Sequence, residues 1–185
     1  NKPPFRMPHQ SASLEGMVGG GIHCHPGEIS LAHNGVLFLD EAAEFRTSVL
    51  QTLRKKKKNH AITLSRAGRH TVFPADFQLL IATNPCPCGN FGSPDKICLC
   101  SASAVENYWK KFSGPLLDRV DIRIPVFNNQ KPKRDFAAEA GIYSGISTSE
   151  LRKSIEKAQE IQLSRQGKLN SKLTPEEISF YCTLH

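Results

Sequence analysis

Long apolar runs are missing from this chain. No stretch approaches the roughly 18 consecutive apolar residues that a membrane-spanning helix requires. The opening Asn1-Lys2-Pro3-Pro4-Phe5-Arg6 also lacks the apolar segment of a secretory signal peptide, and the first residue is not Met. These gaps argue against a membrane or secreted protein, and for a cytoplasmic one of which this is a piece. A glycine-rich Gly-x-x-x-x-Gly-Lys-Ser/Thr loop, which cradles phosphates on backbone amides, is absent as well. Cysteine is present but unevenly spread: of Cys24, Cys86, Cys88, Cys98, Cys100 and Cys182, four fall within fifteen residues. A secreted disulfide scaffold would be shorter and more uniformly cysteine-rich, so a reducing compartment and a metal or thiol role fit better.

The 185 residues, 39% hydrophobic and 22% charged, suffice for one sizeable core with a small appendage. A formal net charge of +7 favours acidic partners such as nucleic acid or nucleotide, but Lys55-Lys56-Lys57-Lys58 supplies four of those charges, so the bias is local. A solvated lysine patch near a helix end explains it as readily as a nucleic-acid contact.

Gly35-Val36-Leu37-Phe38-Leu39-Asp40-Glu41 carries the most information. A short apolar run rich in β-branched and aromatic residues predicts a strand buried on both faces of a parallel sheet, with two carboxylates at its C-terminal end. Open α/β sheets bind ligands at that edge, and an Asp–Glu pair there can hold a nucleotide-bound Mg²⁺ and orient a water. An ordinary buried strand leading into a helix with an acidic first turn gives the same letters.

Around this strand, residues 1–34 are rich in Pro, Gly and His and read as a loop-dominated insert centred on Gly19-Gly20-Gly21. Phe45, Val49, Leu50 and Leu53 recur at helical spacing and predict an amphipathic helix ending in the lysine run. Two β-prone runs, 61–64 and 71–73, flank the basic, glycine-containing 65–70 and predict a hairpin. Phe77 to Thr83 reads as a second buried strand, stopping at Asn84, and a helix and hairpin between two such strands imply a parallel crossover. Ser101 is placed to cap a helix running through Val105, Tyr108, Trp109 and Phe112, and the alternation of residues 120–126 predicts an edge strand containing Pro125. Ser147 with Glu150 and Thr174 with Glu177 form two capping-box patterns, the second with Pro175 at the first helical position. The expected organisation is an α/β core over 1–127, a linker over 128–146 and a partial helical domain over 147–185.

The combined order resembles the AAA+ ATPases of the magnesium-chelatase class, most closely the bacterial ComM/YifB magnesium-chelatase-like family. Pro4-Phe5-Arg6-Met7-Pro8-His9, Val18-Gly19-Gly20-Gly21, residues 26–41, Asn84-Pro85-Cys86-Pro87-Cys88-Gly89 and Ser113 to Arg119 carry the likeness, and residues 168–182 share it. The resemblance implies an AAA+ type parallel sheet core flanked by helices, with a β-hairpin insert and part of a small α-helical lid. It implies catalytic roles for four residues: Asp40 holding the Mg²⁺ of ATP, Glu41 polarising water, Asn84 as sensor 1, and Arg119 as an arginine finger reaching a neighbouring subunit. Asn84 ending a strand, or Arg119 paired with Asp118 or Asp121, are the plainer readings. Arg66, Arg69 and His70 at the hairpin become candidates for sequence-indifferent contact with a nucleic-acid backbone, although basic tips also serve solubility.

The implied parent is a homo-oligomeric ring, a hexamer, that couples ATP hydrolysis to DNA remodelling such as branch migration in recombination or transformation. Two rivals stand beside it: a chelatase-type motor inserting Mg²⁺ into a porphyrin, and a zinc-stabilised nucleic-acid-binding module without hydrolysis. In the family the phosphate loop lies upstream of where this sequence starts and the sensor-2 arginine lies beyond His185, so these residues alone are expected to be inactive. The family also has an acidic, proline-containing turn where Lys55 to Lys58 stand, and a second histidine in place of Gln10. Cys86-x-Cys88 and Cys98-x-Cys100 could close a tetrahedral Zn²⁺ site, with free thiols or a labile disulfide as alternatives. His23-Cys24-His25 reads as a loop with exposed imidazoles rather than a metal site.

Overall fold

A computed structural model describes residues 2–66, 69–112, 114–118, 120–126 and 147–182, with the side chains of 54–59, 66 and 69 outside that description. The chain divides into two compact units, Asn1–Asn128 and Asn129–His185. No described helix is long and apolar enough to cross a membrane.

The first unit is built on a parallel three-stranded sheet ordered β1-β4-β7, with β1 at Phe5–Arg6, β4 at Val36–Leu39 and β7 at Gln78–Ile81. Between β1 and β4 lie α1 (Leu14–Val18), the short antiparallel pair β2 (Gly19–Gly20) and β3 (His25–Pro26), and α2 (Glu28–Leu31). Residues 1–34 are therefore not the loop insert that their composition suggests, because they supply both a sheet strand and part of the core. Ser13 caps α1, its hydroxyl accepting from the Gly16 N–H, and Met17 on that helix is fully buried. Arg6 reaches back to Glu28 in a two-pronged ion pair, Nε–Oε2 at 2.7 Å and Nη2–Oε1 at 2.6 Å, which fixes α2 beside β1.

Leu37 and Leu39 of β4 point into the core and are fully buried, whereas Val36 and Phe38 on the alternate face are half-buried. The same alternation runs into the neighbours. Leu79 and Ile81 pack against the core, while Leu80 is 42% and Phe5 60% exposed. The two strands predicted to be buried on both faces are thus covered on one. Apolar letters on a strand report what the residues tolerate, and only packing decides which face is covered.

Against the covered face sit Phe45, Val49, Leu50 and Leu53, the last three from α3 (Thr47–Asn59). Helix α3 ends with the lysine run in its last turn, as predicted, and is terminated by His60 at φ 50°. The hairpin follows as predicted, with strands slightly longer than their β-prone letters: β5 (Ala61–Arg66) pairs antiparallel with β6 (Arg69–Pro74) as a separate two-stranded sheet, Ile62 opposite Phe73 and Ser65 opposite His70. Its Ile62 is fully buried in the core and ties the hairpin to it. Burying a Leu- or Ile-sized side chain contributes about 1.5–3 kcal/mol.

After β7, residues 85–100 contain no helix or strand. Ser101 then caps α4 (Ala102–Lys110) as predicted, accepting from the Ala104 N–H at 3.2 Å, and α5 spans Gly114–Leu117. Residues 120–126 are not a strand: they have no regular structure, and Ile122 and Ile124 are each 76% exposed. Alternation makes a segment able to pair, but pairing requires a partner ladder, and none meets it among the described residues.

The second unit holds α6 (Thr148–Gln166) and α7 (Pro175–Tyr181). Both predicted capping boxes form, Ser147 with Glu150 and Thr174 with Glu177, and Gly167 closes α6 at φ 71°. The backbone N–H and hydroxyl of Ser147 hold the Glu150 carboxyl below its usual range. Lys168 Nζ donates to Glu177 Oε1 at 2.6 Å.

Gly35 occupies the junction of the first two sheet strands. A Cβ added there would lie 1.9 Å from the Pro4 carbonyl oxygen, the oxygen that accepts from the Val36 N–H at 2.8 Å. Gly16 on α1 has room, its nearest neighbour being Ser13 Oγ at 3.4 Å. In urea unfolding, Gly35→Ala is expected to destabilise by about 1–3 kcal/mol or more, whereas Gly16→Ala changes stability by at most about 1 kcal/mol, towards stabilisation.

Candidate functional site

Two adjacent parallel strands deliver the candidate residues to one rim. Leu39 pairs with Ile81, and the ladder continues past both: the Ala82 N–H donates to Leu39 O at 2.9 Å and the Ala42 N–H to Ala82 O at 3.0 Å. Asp40 and Glu41 leave the C-terminal end of β4 between these bonds, and Asn84 follows the C-terminal end of β7 two residues after Ala82. All three are exposed.

The acid turn is conformationally unusual. Glu41 sits at φ 48°, ψ 45°, a left-handed conformation that costs a side-chain-bearing residue about 1–2 kcal/mol. Its N–H donates to Asp40 Oδ1 at 3.0 Å, and the buried Ala42 and Ala43 anchor the 3₁₀ turn that follows. Lys111 Nζ donates to Ala43 O at 2.9 Å, fixing the same turn from the side of α4. Gln10 makes a long hydrogen bond, Nε2 to Glu41 Oε2 at 3.4 Å.

The Asn84 segment is held from α4. Tyr108 and Thr83 share a hydroxyl hydrogen bond of 2.9 Å, and Trp109 Nε1 donates to Pro85 O at 3.0 Å. Gly89 folds back towards the amide, so that a Cβ there would sit 3.9 Å from Asn84 Cγ. Gln10, Tyr108, Trp109 and Lys111 are not legible as site residues in the sequence. They reach the rim through tertiary contacts spanning 24 to 68 positions, which no local pattern encodes.

The other candidates are placed elsewhere. Arg66 and Arg69 pair through their backbones on either side of 67–68, and their side chains lie outside the described residues. His70 is exposed, its Nδ1 2.8 Å from Ser65 Oγ. Arg119 lies outside the described residues. His23 and His25 stack edge to face with centroids 5.8 Å apart, and the intervening Cys24 is buried at φ 51°.

Cys86, Cys88, Cys98 and Cys100 bring their sulfurs within 4.8 Å of one another, the single group among the described residues able to hold a metal. All four are free thiols. The Asn90 backbone N–H, helped by the Cys86 thiol, draws the Cys88 thiol down to about 6. Against the pull of the Cys100 backbone N–H, burial and the thiols of Cys88 and Cys86 push the Cys98 thiol up to about 12. Any metal held here would take the sulfurs as thiolates and release their protons.

The order of strand, acid pair, hairpin and amide-ended strand defines an AAA+-like α/β core. A family profile described as "Magnesium chelatase, subunit ChlI" matches residues 1–134. The chain is 43% identical over 183 residues, 98% of its length, to the "Uncharacterized protein YifB" of Salmonella typhimurium, and 42% identical over 98% of its length to the "Competence protein ComM" of Haemophilus influenzae. The Escherichia coli "Uncharacterized protein YifB" is 41% identical, again over 98% of the chain. The chain spans about a third, 35%, of each of these relatives. It belongs to the ComM/YifB magnesium-chelatase-like family.

The thiol pattern has a direct test. In metal-free protein, iodoacetamide is expected to modify Cys88 ahead of Cys98, with a rate that rises through about pH 6 as the Cys88 thiolate forms. Peptide mass spectrometry across a pH series reads this. Equal reaction of all four cysteines, beginning only above pH 8, would contradict it.

Proposed function

We propose that this chain is part of the motor of an AAA+ ATPase that hydrolyses ATP at subunit interfaces of a ring and uses the cycle to remodel DNA. The observation that carries the reading is the convergence of Asp40, Glu41 and Asn84 on one rim of adjacent parallel strands, in a chain of this family. Exposed carboxylates beside a neutral amide suit a metal–triphosphate partner. Asp40 is the residue to hold Mg²⁺, which when bound neutralises charge on the β- and γ-phosphates. Glu41 would accept a proton from, or orient, the attacking water, and it stands on a left-handed turn of the kind that functional sites retain. Asn84 can donate from its amide to a phosphate oxygen without adding negative charge to an already anionic site. Arg119 completes the set in a hexameric ring, reaching the nucleotide of the adjacent subunit.

DNA is preferred as the client over a porphyrin for two reasons. One of the relatives is named a competence protein, and Arg66 and Arg69 are backbone partners at the hairpin turn, with His70 next along the strand. Such a tip would bind phosphates with little regard to base sequence. The phosphate-cradling loop of the complete site would come from the longer protein that contains this chain, and that protein would work in the cytoplasm.

In that full-length protein, Glu41→Gln is expected to lower kcat for ATP by about 10²- to 10⁴-fold while nucleotide binding survives. An unchanged kcat would contradict the assignment. Replacing Arg66 and Arg69 by Ala is expected to weaken DNA binding uniformly across sequences and to flatten the slope of log K against log salt by about 1 per lost phosphate contact. Unaltered salt dependence would remove the hairpin from the DNA path.

A further inference from the structure

The segment 85–100 poses a physical problem. It contains no helix or strand, and its largest apolar side chains face solvent: Ile97 is 83%, Leu99 88% and Phe91 55% exposed. Such a stretch cannot hold a fixed shape by burying hydrophobic surface. Yet it folds back on itself so that four sulfurs from its two ends converge, and glycines at its turns, Gly89 at φ 77° and Gly92 at φ 76°, let the chain reverse.

The convergence has the dimensions of a metal centre. Cys86–Cys88, Cys88–Cys98 and Cys86–Cys98 sulfurs are 3.4, 3.6 and 3.7 Å apart. Tetrahedral Zn²⁺ with Zn–S bonds of about 2.3 Å requires S···S separations of about 3.8 Å. The Phe91 backbone N–H donates to Cys86 Sγ at 3.3 Å, an interaction that favours a bound thiolate over a thiol. Cys24 and Cys182 stand outside the group.

The cluster is also attached to the rim. Going out of β7, Thr83 is bound by Tyr108, Pro85 by Trp109, and the fully buried Cys86 by the sulfur cluster. Asn84 lies between the first two fixed points, and Gly89 from inside the cysteine loop approaches its side chain.

We propose that Cys86, Cys88, Cys98 and Cys100 form a structural Zn²⁺ tetrathiolate centre that, by fixing Cys86 and folding Gly89 back, holds Asn84 in place at the sheet rim. Binding releases the remaining thiol protons to solvent and changes no oxidation state. The consequence for hydrolysis rests on the role proposed above for Asn84. The metal centre and its grip on residues 83–86 do not.

The test uses this chain and no nucleotide, so it fails or succeeds independently of the ATPase reading. Metal-free protein is titrated anaerobically with Zn²⁺, following the fluorescence of Trp109, the single tryptophan and a direct partner of Pro85. Expected are a break at one equivalent, amide exchange over 83–91 slowed by about tenfold or more, and, with Co²⁺ in place of Zn²⁺, the d–d absorption bands of a tetrahedral tetrathiolate. Cys24→Ser and Cys182→Ser should leave all three unchanged. Cys88→Ser with Cys98→Ser should abolish them while circular dichroism stays native. Absence of a break at one equivalent in the Co²⁺ absorption titration, or a Co²⁺ spectrum of oxygen and nitrogen ligation, overturns the metal centre. Stoichiometric binding with unmoved Trp109 emission and unslowed exchange at 83–86 overturns the positioning role.

Discussion

Everything at the candidate site depends on the parallel ladder between β4 and β7. Because its bonds run past the ends of both strands, from Ala82 to Leu39 and from Ala42 to Ala82, the two strands cannot slip without breaking these backbone pairs. A shift of one residue would also turn Leu37 and Leu39 out of the core. Register is therefore over-determined, and it sets Asp40, Glu41 and Asn84 on the same edge. The left-handed turn at Glu41 is tolerable only because this ladder, the buried Ala42 and Ala43, and Lys111 hold its two ends.

Around the ladder the molecule spends its hydrophobic material on one side. Helices α1, α2 and α3 cover the face carrying Leu37, Leu39, Leu79 and Ile81, and α4 adds Tyr108 beside the rim. The same helix gives Tyr108 and Trp109 to the Asn84 segment, and Lys111 next to it reaches the acid turn. One short helix thus braces both halves of the site, which links core packing to the geometry that hydrolysis would need.

The sequence made some of this legible and hid the rest for physical reasons. Strands β4 and β7, the hairpin, helix α3 and three side-chain caps could be read because each is dictated locally, by apolar runs, turn residues or an oxygen three positions ahead of an N–H. Strand β1 could not be read, since two residues in a proline-rich stretch carry no periodicity and pair only because Pro4 and Gly35 approach closely. The reverse error came at 120–126, where a local pattern fit for pairing meets no partner among the described residues. At the site, the acid pair and the Asn84 strand end stood out by position, whereas Gln10, Tyr108, Trp109 and Lys111 act across long sequence separations. Cysteine spacing indicated a cluster but left its state open, and the mutual approach of four sulfurs is a tertiary fact.

On the proposed function, this rim receives a metal-bound triphosphate. An experimental structure of the full-length protein with a non-hydrolysable ATP analogue and Mn²⁺, the ion located by its anomalous scattering, tests it most directly. The Mn²⁺ is expected at the Asp40 carboxylate and the γ-phosphate between Glu41 and the Asn84 amide, with the ladder register unchanged. Nucleotide bound away from this edge, or both carboxylates turned from it, would rule out the rim as the triphosphate site.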